Sequence, residues 1–182
     1  MNEKKLALYL SDFFSIYITI AYGVILWNSE NFLLLWAASA MLFGIIPQWV
    51  FEKTGTRAGS AGKVRWVMQS EYVASILSGF AALILLQAPT EALAYSLALC
   101  AGQIIVLAFV PVWKISGHAF GTVTTLAFLY DFGSLAALPA LVLWGVFFWA
   151  RVRVGAHTVN QYLAGSAGGL VFSLIAKVLL PG

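Results

Sequence analysis

Seven stretches of mostly apolar residues divide this chain, separated by short polar breaks. They run over residues 6–27, 32–51, 66–86, 92–113, 117–130, 135–150 and 157–180. A helix that spans a membrane needs about 20 such residues, at a rise of roughly 1.5 Å each. The fifth and sixth stretches are shorter, so that pair either crosses a thin bilayer or forms a hairpin that turns within it. In both cases it returns the chain to the face it left. Most breaks carry helix-ending residues, as in Asn28-Ser29-Glu30-Asn31, Gln87-Ala88-Pro89-Thr90 and Asp131-Phe132-Gly133-Ser134. The pattern predicts an all-α, polytopic membrane protein with six to seven transmembrane helices in a single bundle, residues 1–182 forming one domain. The first stretch is too long for a signal-peptide core and has no small-residue cleavage site after it, so it is expected to remain in the fold.

Composition sharpens this reading. Of the 182 residues, 62% are hydrophobic and 9% charged, whereas soluble domains carry about 25% charged residues. That excludes an ordinary water-soluble fold. The net charge of +3 would point to nucleic acid in a soluble chain; here the placement of the cations carries more information, and no nucleic-acid partner is expected. Lys4, Lys5, Lys53, Arg57, Lys63, Arg65, Lys114, Arg151 and Arg153 fall on one side of the predicted path. Glu30, Glu91, Asp131 and Lys177 fall on the other. Such asymmetry in short loops predicts a multi-pass protein with its amino terminus and its basic face in the cytoplasm, although cations gathered to bind an anion would look the same. Cys100 stands alone, which excludes an intrachain disulfide and a cysteine metal cluster; it reads as a small packing residue.

Three polar stretches meet on the basic face. The first is 52–65, which contains Lys53, Arg57, Lys63 and Arg65. The second is Lys114-Ile115-Ser116-Gly117-His118, and the third runs from Arg151 through His157 to Gln161. Both histidines of the chain lie in them. Cations, imidazoles and small residues with open amides make an anion cage: arginine forks match phosphate, and a helix amino terminus adds partial positive charge. One imidazole can attack phosphorus while another protonates the leaving oxygen. Any single lysine or arginine here is better explained by snorkelling at a helix end, whereas both histidines and the cations converging on one face are not. Two histidines and scattered carboxylates do not make a zinc or magnesium site, so neither a metal nor a cofactor is expected.

Ser116-Gly117-His118, followed by Arg151-x5-His157, resembles the type-2 phosphatidic acid phosphatase superfamily. That family's pattern is K-x6-R-P, then P-S-G-H, then S-R-x5-H-x3-D. The likeness is strongest over residues 114–170, and closest to a branch of small membrane members with K-I-S-x-H and R-x5-H-T-x2-Q. The chain departs from the main pattern in four places: Ile115 replaces the proline, Ala150 the serine before Arg151, and Gln161 the acid, and no K-x6-R-P occurs. The resemblance implies that His157 is the nucleophile and His118 the general acid. It also implies that Arg151, Ser116 and the Gly117 amide hold the phosphoryl oxygens, helped by Lys114 and, from the first polar stretch, Arg65, Lys63 and Arg57. Gln161, at i+4 from His157, would orient the ring without bringing a charge. Glu71 is read either as the missing carboxylate or as a structural partner for a nearby arginine. Asp12 is read as an interfacial carboxylate beside Lys4 and Lys5.

The expected function is a membrane-embedded lipid phosphate phosphatase. It would act on a polyprenyl or glycerolipid phosphate or diphosphate through a phosphohistidine, among membrane lipids, with an oligomer left open. Two rivals stand beside it: a non-catalytic binder or translocator of anionic lipids that uses the same cations, and a purely structural subunit. Catalysis needs both histidines; binding needs mainly the arginines.

Overall fold

Peptide groups in an apolar run inside lipid can be satisfied only within their own helix, and the chain follows that rule. It is 84% helical, with no strand among the described residues. The computed structural model describes residues 3–46, 49, 63–109 and 112–181; the side chains of residues 4, 8, 11, 12, 15, 44, 63–72 and 134 lie outside that description. The elements are α1 (Glu3–Ile25), α2 (Phe32–Ser39) running into a π-helical stretch (Ala40–Ile45), α3 (Lys63–Leu85), α4 (Thr90–Phe109), α5 (Gly117–Leu129) followed by a 3-10 turn (Tyr130–Phe132), α6 (Ser134–Arg153) and α7 (Val159–Leu179). Three segments are long and apolar enough to span a membrane: α4, Leu135–Arg153 of α6, and α7. Leu33, Leu85, Leu135 and Val178 point outward and are exposed, an arrangement suited to lipid rather than water.

Two helices differ from the expected lengths. The sixth reaches 20 residues because Arg151 and Arg153 form its last turn instead of following it. Cations there offset the negative end of the helix dipole. The second is α-helical only to Ser39, where the π-helical stretch begins. Its expected end at residue 51 falls outside the described residues.

The helix ends are made locally. After α3, Gln87 takes a positive φ of 54° while its N–H bonds Ile84 O and that of Ala88 bonds Leu83 O, which closes the helix. The chain then turns through Pro89 into α4, antiparallel to α3. α5 lies at the centre, packed against α4, α6 and α7. The α5–α7 contact is close because a side chain is missing where they cross. A Cβ on Gly165 would fall well inside contact range of the Ser116 carbonyl oxygen, and one on Gly169 would do the same at the Phe120 carbonyl. Glycines four apart on one helix face let two backbones approach in this way.

Buried hydroxyls link the remaining helices. Tyr22 Oη lies 2.6 Å from Ser96 Oγ, joining α1 to α4, and Tyr95 Oη lies 2.7 Å from Thr125 Oγ1, joining α4 to α5. Ion pairs mark the two ends of the bundle. Arg153 pairs with Glu3, bringing the end of α6 to the start of α1. At the opposite end Lys177 lies 2.7 Å from Asp131, donates to Ala127 O at 2.7 Å, and sits 4.9 Å over the Phe128 ring. The α4–α5 and α6–α7 connections therefore share the end that holds Glu3 and Arg153.

Candidate functional site

The site is built from those two connections. α6 closes at Gly155, whose φ of 71° is accessible to glycine without a Cβ clash. Gly155 N–H bonds Val152 O at 3.0 Å, and Ala156 N–H bonds Arg151 O at 3.0 Å. His157 N–H also reaches Arg151 O, at 3.3 Å. The turn thus fixes His157 directly against the last turn of α6, which carries Arg151. α7 begins two residues later. Thr158 is its N-cap, accepting from Gln161 N–H at 3.3 Å, while Gln161 Oε1 accepts from Thr158 N–H at 2.9 Å, a reciprocal capping box.

The other connection is bound to this one at three points. Ser116 N–H donates to Gln161 O at 3.2 Å. Lys114 Nζ donates to Ala156 O at 2.8 Å, and Lys114 O lies 3.3 Å from His157 Nδ1. A carbonyl only accepts, so in the neutral ring Nδ1 bears the hydrogen and Nε2 the lone pair. His157 is 7% exposed. Held at Nδ1, an imidazole in this tautomer has its lone pair on Nε2, the nitrogen through which a histidine can act as base or nucleophile.

His118 stands in the first turn of α5 and is half-buried. Its ring lies 4.5 Å from that of Phe14 on α1 and 6.3 Å from that of Phe147 on α6, measured between centroids. Thr122 Oγ1 donates to its carbonyl at 2.6 Å. Two helix amino termini, those of α5 and α7, consequently point to the end where both histidines, Lys114 and Arg151 gather, a favourable field for an anion.

The expected residues divide into groups. His118, His157, Arg151, Gly117 and Lys114 all belong to these joined connections. Ser116 is there too, but it is fully buried and its Oγ accepts from Ala119 N–H at 3.3 Å; its recorded duty is to cap α5. Gln161 differs from the expectation most clearly. Its side-chain oxygen takes the Thr158 amide, and the acceptor beside His157 Nδ1 is the Lys114 carbonyl. The first turns of α3 carry Lys63, Arg65 and Glu71, whose side chains lie outside the described residues, as does Arg57 altogether. Among the described residues no group of three potential metal ligands occurs.

Sequence reasoning passed over Gly165 and Gly169, although the G-x3-G spacing was in plain view, and Gln103, a lone amide in an apolar helix. No family model, curated protein or solved structure matches this chain.

Proposed function

We propose that this chain is a six- to seven-span integral membrane phosphatase of lipid phosphates, akin to the type-2 phosphatidic acid phosphatases. What carries the reading is the pairing of its two histidine stretches, with Ser116 N–H on Gln161 O and the Lys114 carbonyl at His157 Nδ1. In the reaction, His157 Nε2 attacks phosphorus and the bond to the lipid oxygen breaks as His118 gives that oxygen a proton. Water then gives a proton to His118 while its oxygen attacks phosphorus, the N–P bond breaks, and inorganic phosphate leaves. Arg151 and the α5 amino terminus bind the phosphoryl oxygens throughout, where charge is greatest in the transition state.

A lipid substrate fits the surroundings. Exposed Trp113 and Trp149 flank the same end of the bundle, and such rings prefer the headgroup layer. That would set the site at headgroup depth, with the basic face and the amino terminus in the cytoplasm. The test is phosphate release from a panel of lipid phosphates by purified protein and by His157→Ala. Turnover abolished with lipid binding retained supports the phosphatase; equal turnover by the variant removes His157 from the nucleophile role, and no release by either protein with lipid binding retained transfers the site to the non-catalytic anionic-lipid binder.

A further inference from the structure

Two phenyl rings from other helices define where the His118 imidazole lies. Phe14 of α1 packs against it with centroids 4.5 Å apart and planes inclined by 30°. Phe147 of α6 meets it edge-on, at 6.3 Å and 76°. The phenyl rings also touch each other, T-shaped and 5.7 Å apart, so the three form one closed cluster. Both phenylalanines are buried, and neither is part of the two histidine motifs. Phe14 reaches this place because α5 carries no side chain at residue 121. A Cβ on Gly121 would lie 2.5 Å from Phe14 Cζ, so the tip of the ring occupies the volume a larger residue would fill. Gly121 follows His118 by three residues and shares its helix face. The same turn is backed by α4, where a Cβ on Gly117 would lie 3.5 Å from Gln103 Oε1. On α6, Phe147 precedes Arg151 by four residues, about one turn. The cluster therefore holds the imidazole beside the turn of α6 that leads into Arg151.

We infer that Phe14 is a positioning residue: seated in the Gly121 notch, its ring holds the His118 imidazole against Phe147 in the orientation that delivers a proton to the leaving oxygen. This step rests on the phosphatase reading above. A histidine ring turns about two side-chain bonds, and its last torsion is broad. Aromatic neighbours at these separations favour a defined mutual geometry and narrow that choice. Without Phe14 the imidazole stays in the site but samples other directions, and the proton is delivered less often. Attack by His157 does not use that proton. The effect is therefore confined to substrates whose leaving oxygen needs one.

The experiment compares the wild type with Phe14→Leu and with Gly121→Ala, which pushes the phenyl ring out of its notch from α5 and decides the matter if the leucine variant does not fold. kcat/KM is measured for phosphatidic acid and farnesyl phosphate in mixed micelles, and for p-nitrophenyl phosphate, whose phenolate leaves without a proton. Both variants lose about three- to tenfold on the lipid esters, the scale of one aromatic pair, and stay within about twofold on the aryl ester. Phe14→Leu added to His118→Ala costs nothing further, because the two residues act through one ring. The chain has two histidines, so protein labelled in its imidazoles gives two NMR signals, assigned with His118→Ala. Loss of the Phe14 ring current moves the His118 signal and leaves that of His157 in place. Equal losses on lipid and aryl esters, no loss on either, additive losses in the double variant, or an unmoved His118 signal overturn the inference and leave the phosphatase standing. A wild type inactive on every ester, with the His118 signal still moved by Phe14→Leu, removes the phosphatase reading and the positioning role with it.

Discussion

His157 Nδ1 faces the Lys114 carbonyl at 3.3 Å, and the Lys114 ammonium reaches the carbonyl of Ala156, the residue before His157, at 2.8 Å. One residue of the α4–α5 connection thus holds both the ring and the backbone of the α6–α7 turn. The ring orientation is set by main chain, which substitution at residue 114 leaves in place. The turn itself depends on the side chain.

Lys114→Met should therefore loosen the turn without changing the acceptor at Nδ1. A misplacement of about 1 Å at a reacting group costs on the order of 10²-fold, so kcat is expected to fall by up to that factor. Measuring kcat and KM separately checks this: a rise in KM alone would make Lys114 a simple phosphate ligand.

Gly165→Ala drives a Cβ into the Ser116 carbonyl, a backbone atom that cannot rotate away. Overpacking of this kind costs about 1–3 kcal/mol, and here it separates the two histidine stretches. Thermal stability in detergent and turnover should both drop. Gly145→Ala, where nothing lies within 4 Å of the new Cβ, is the control and should be neutral or slightly stabilising.

His118→Ala should slow formation of the phosphoenzyme by about 10²–10⁴-fold, the usual scale of general acid help. The loss should shrink for an activated ester whose leaving group needs no proton. Rapid-quench measurements on a lipid phosphate and on an aryl phosphate make the comparison; equal losses would remove His118 from the acid role.

Orientation can be read with one introduced thiol. Cys100 is buried and bonds Ile76 O through its Sγ at 3.6 Å, so it should stay silent. Ser60→Cys should react with an impermeant maleimide only after the cells are opened, as the positive-inside rule requires. Labelling of intact cells would put the basic face outside.

Much of this was legible in the chain. Helical positions follow from apolar runs long enough for helices and bounded by turn residues, and the two histidine stretches could be placed at one end by counting helices. What escaped has specific causes. The Thr-x-x-Gln spacing of Thr158 and Gln161 fits a ring partner and a capping box equally well, and only coordinates show the oxygen on the Thr158 amide. The sixth helix looked short because its two arginines were counted as loop, although cations suit a helix carboxyl end. The pairing of Tyr22 with Ser96, 74 residues away, leaves no mark in a single sequence.

Tyr95 and Ser96 are neighbours, yet one bonds Thr125 on α5 and the other Tyr22 on α1. A smooth apolar rod in lipid can spin about its long axis at little cost, because hydrocarbon is the same on every side. Two hydroxyl bonds, set about 100° apart around α4, stop that rotation. Gln103 follows Ser96 by seven residues, which is roughly 20° short of two full turns and about 10 Å further along. The bond to Tyr22, deep in the bundle, thus works as an angular stop that aims the Gln103 amide from a distance.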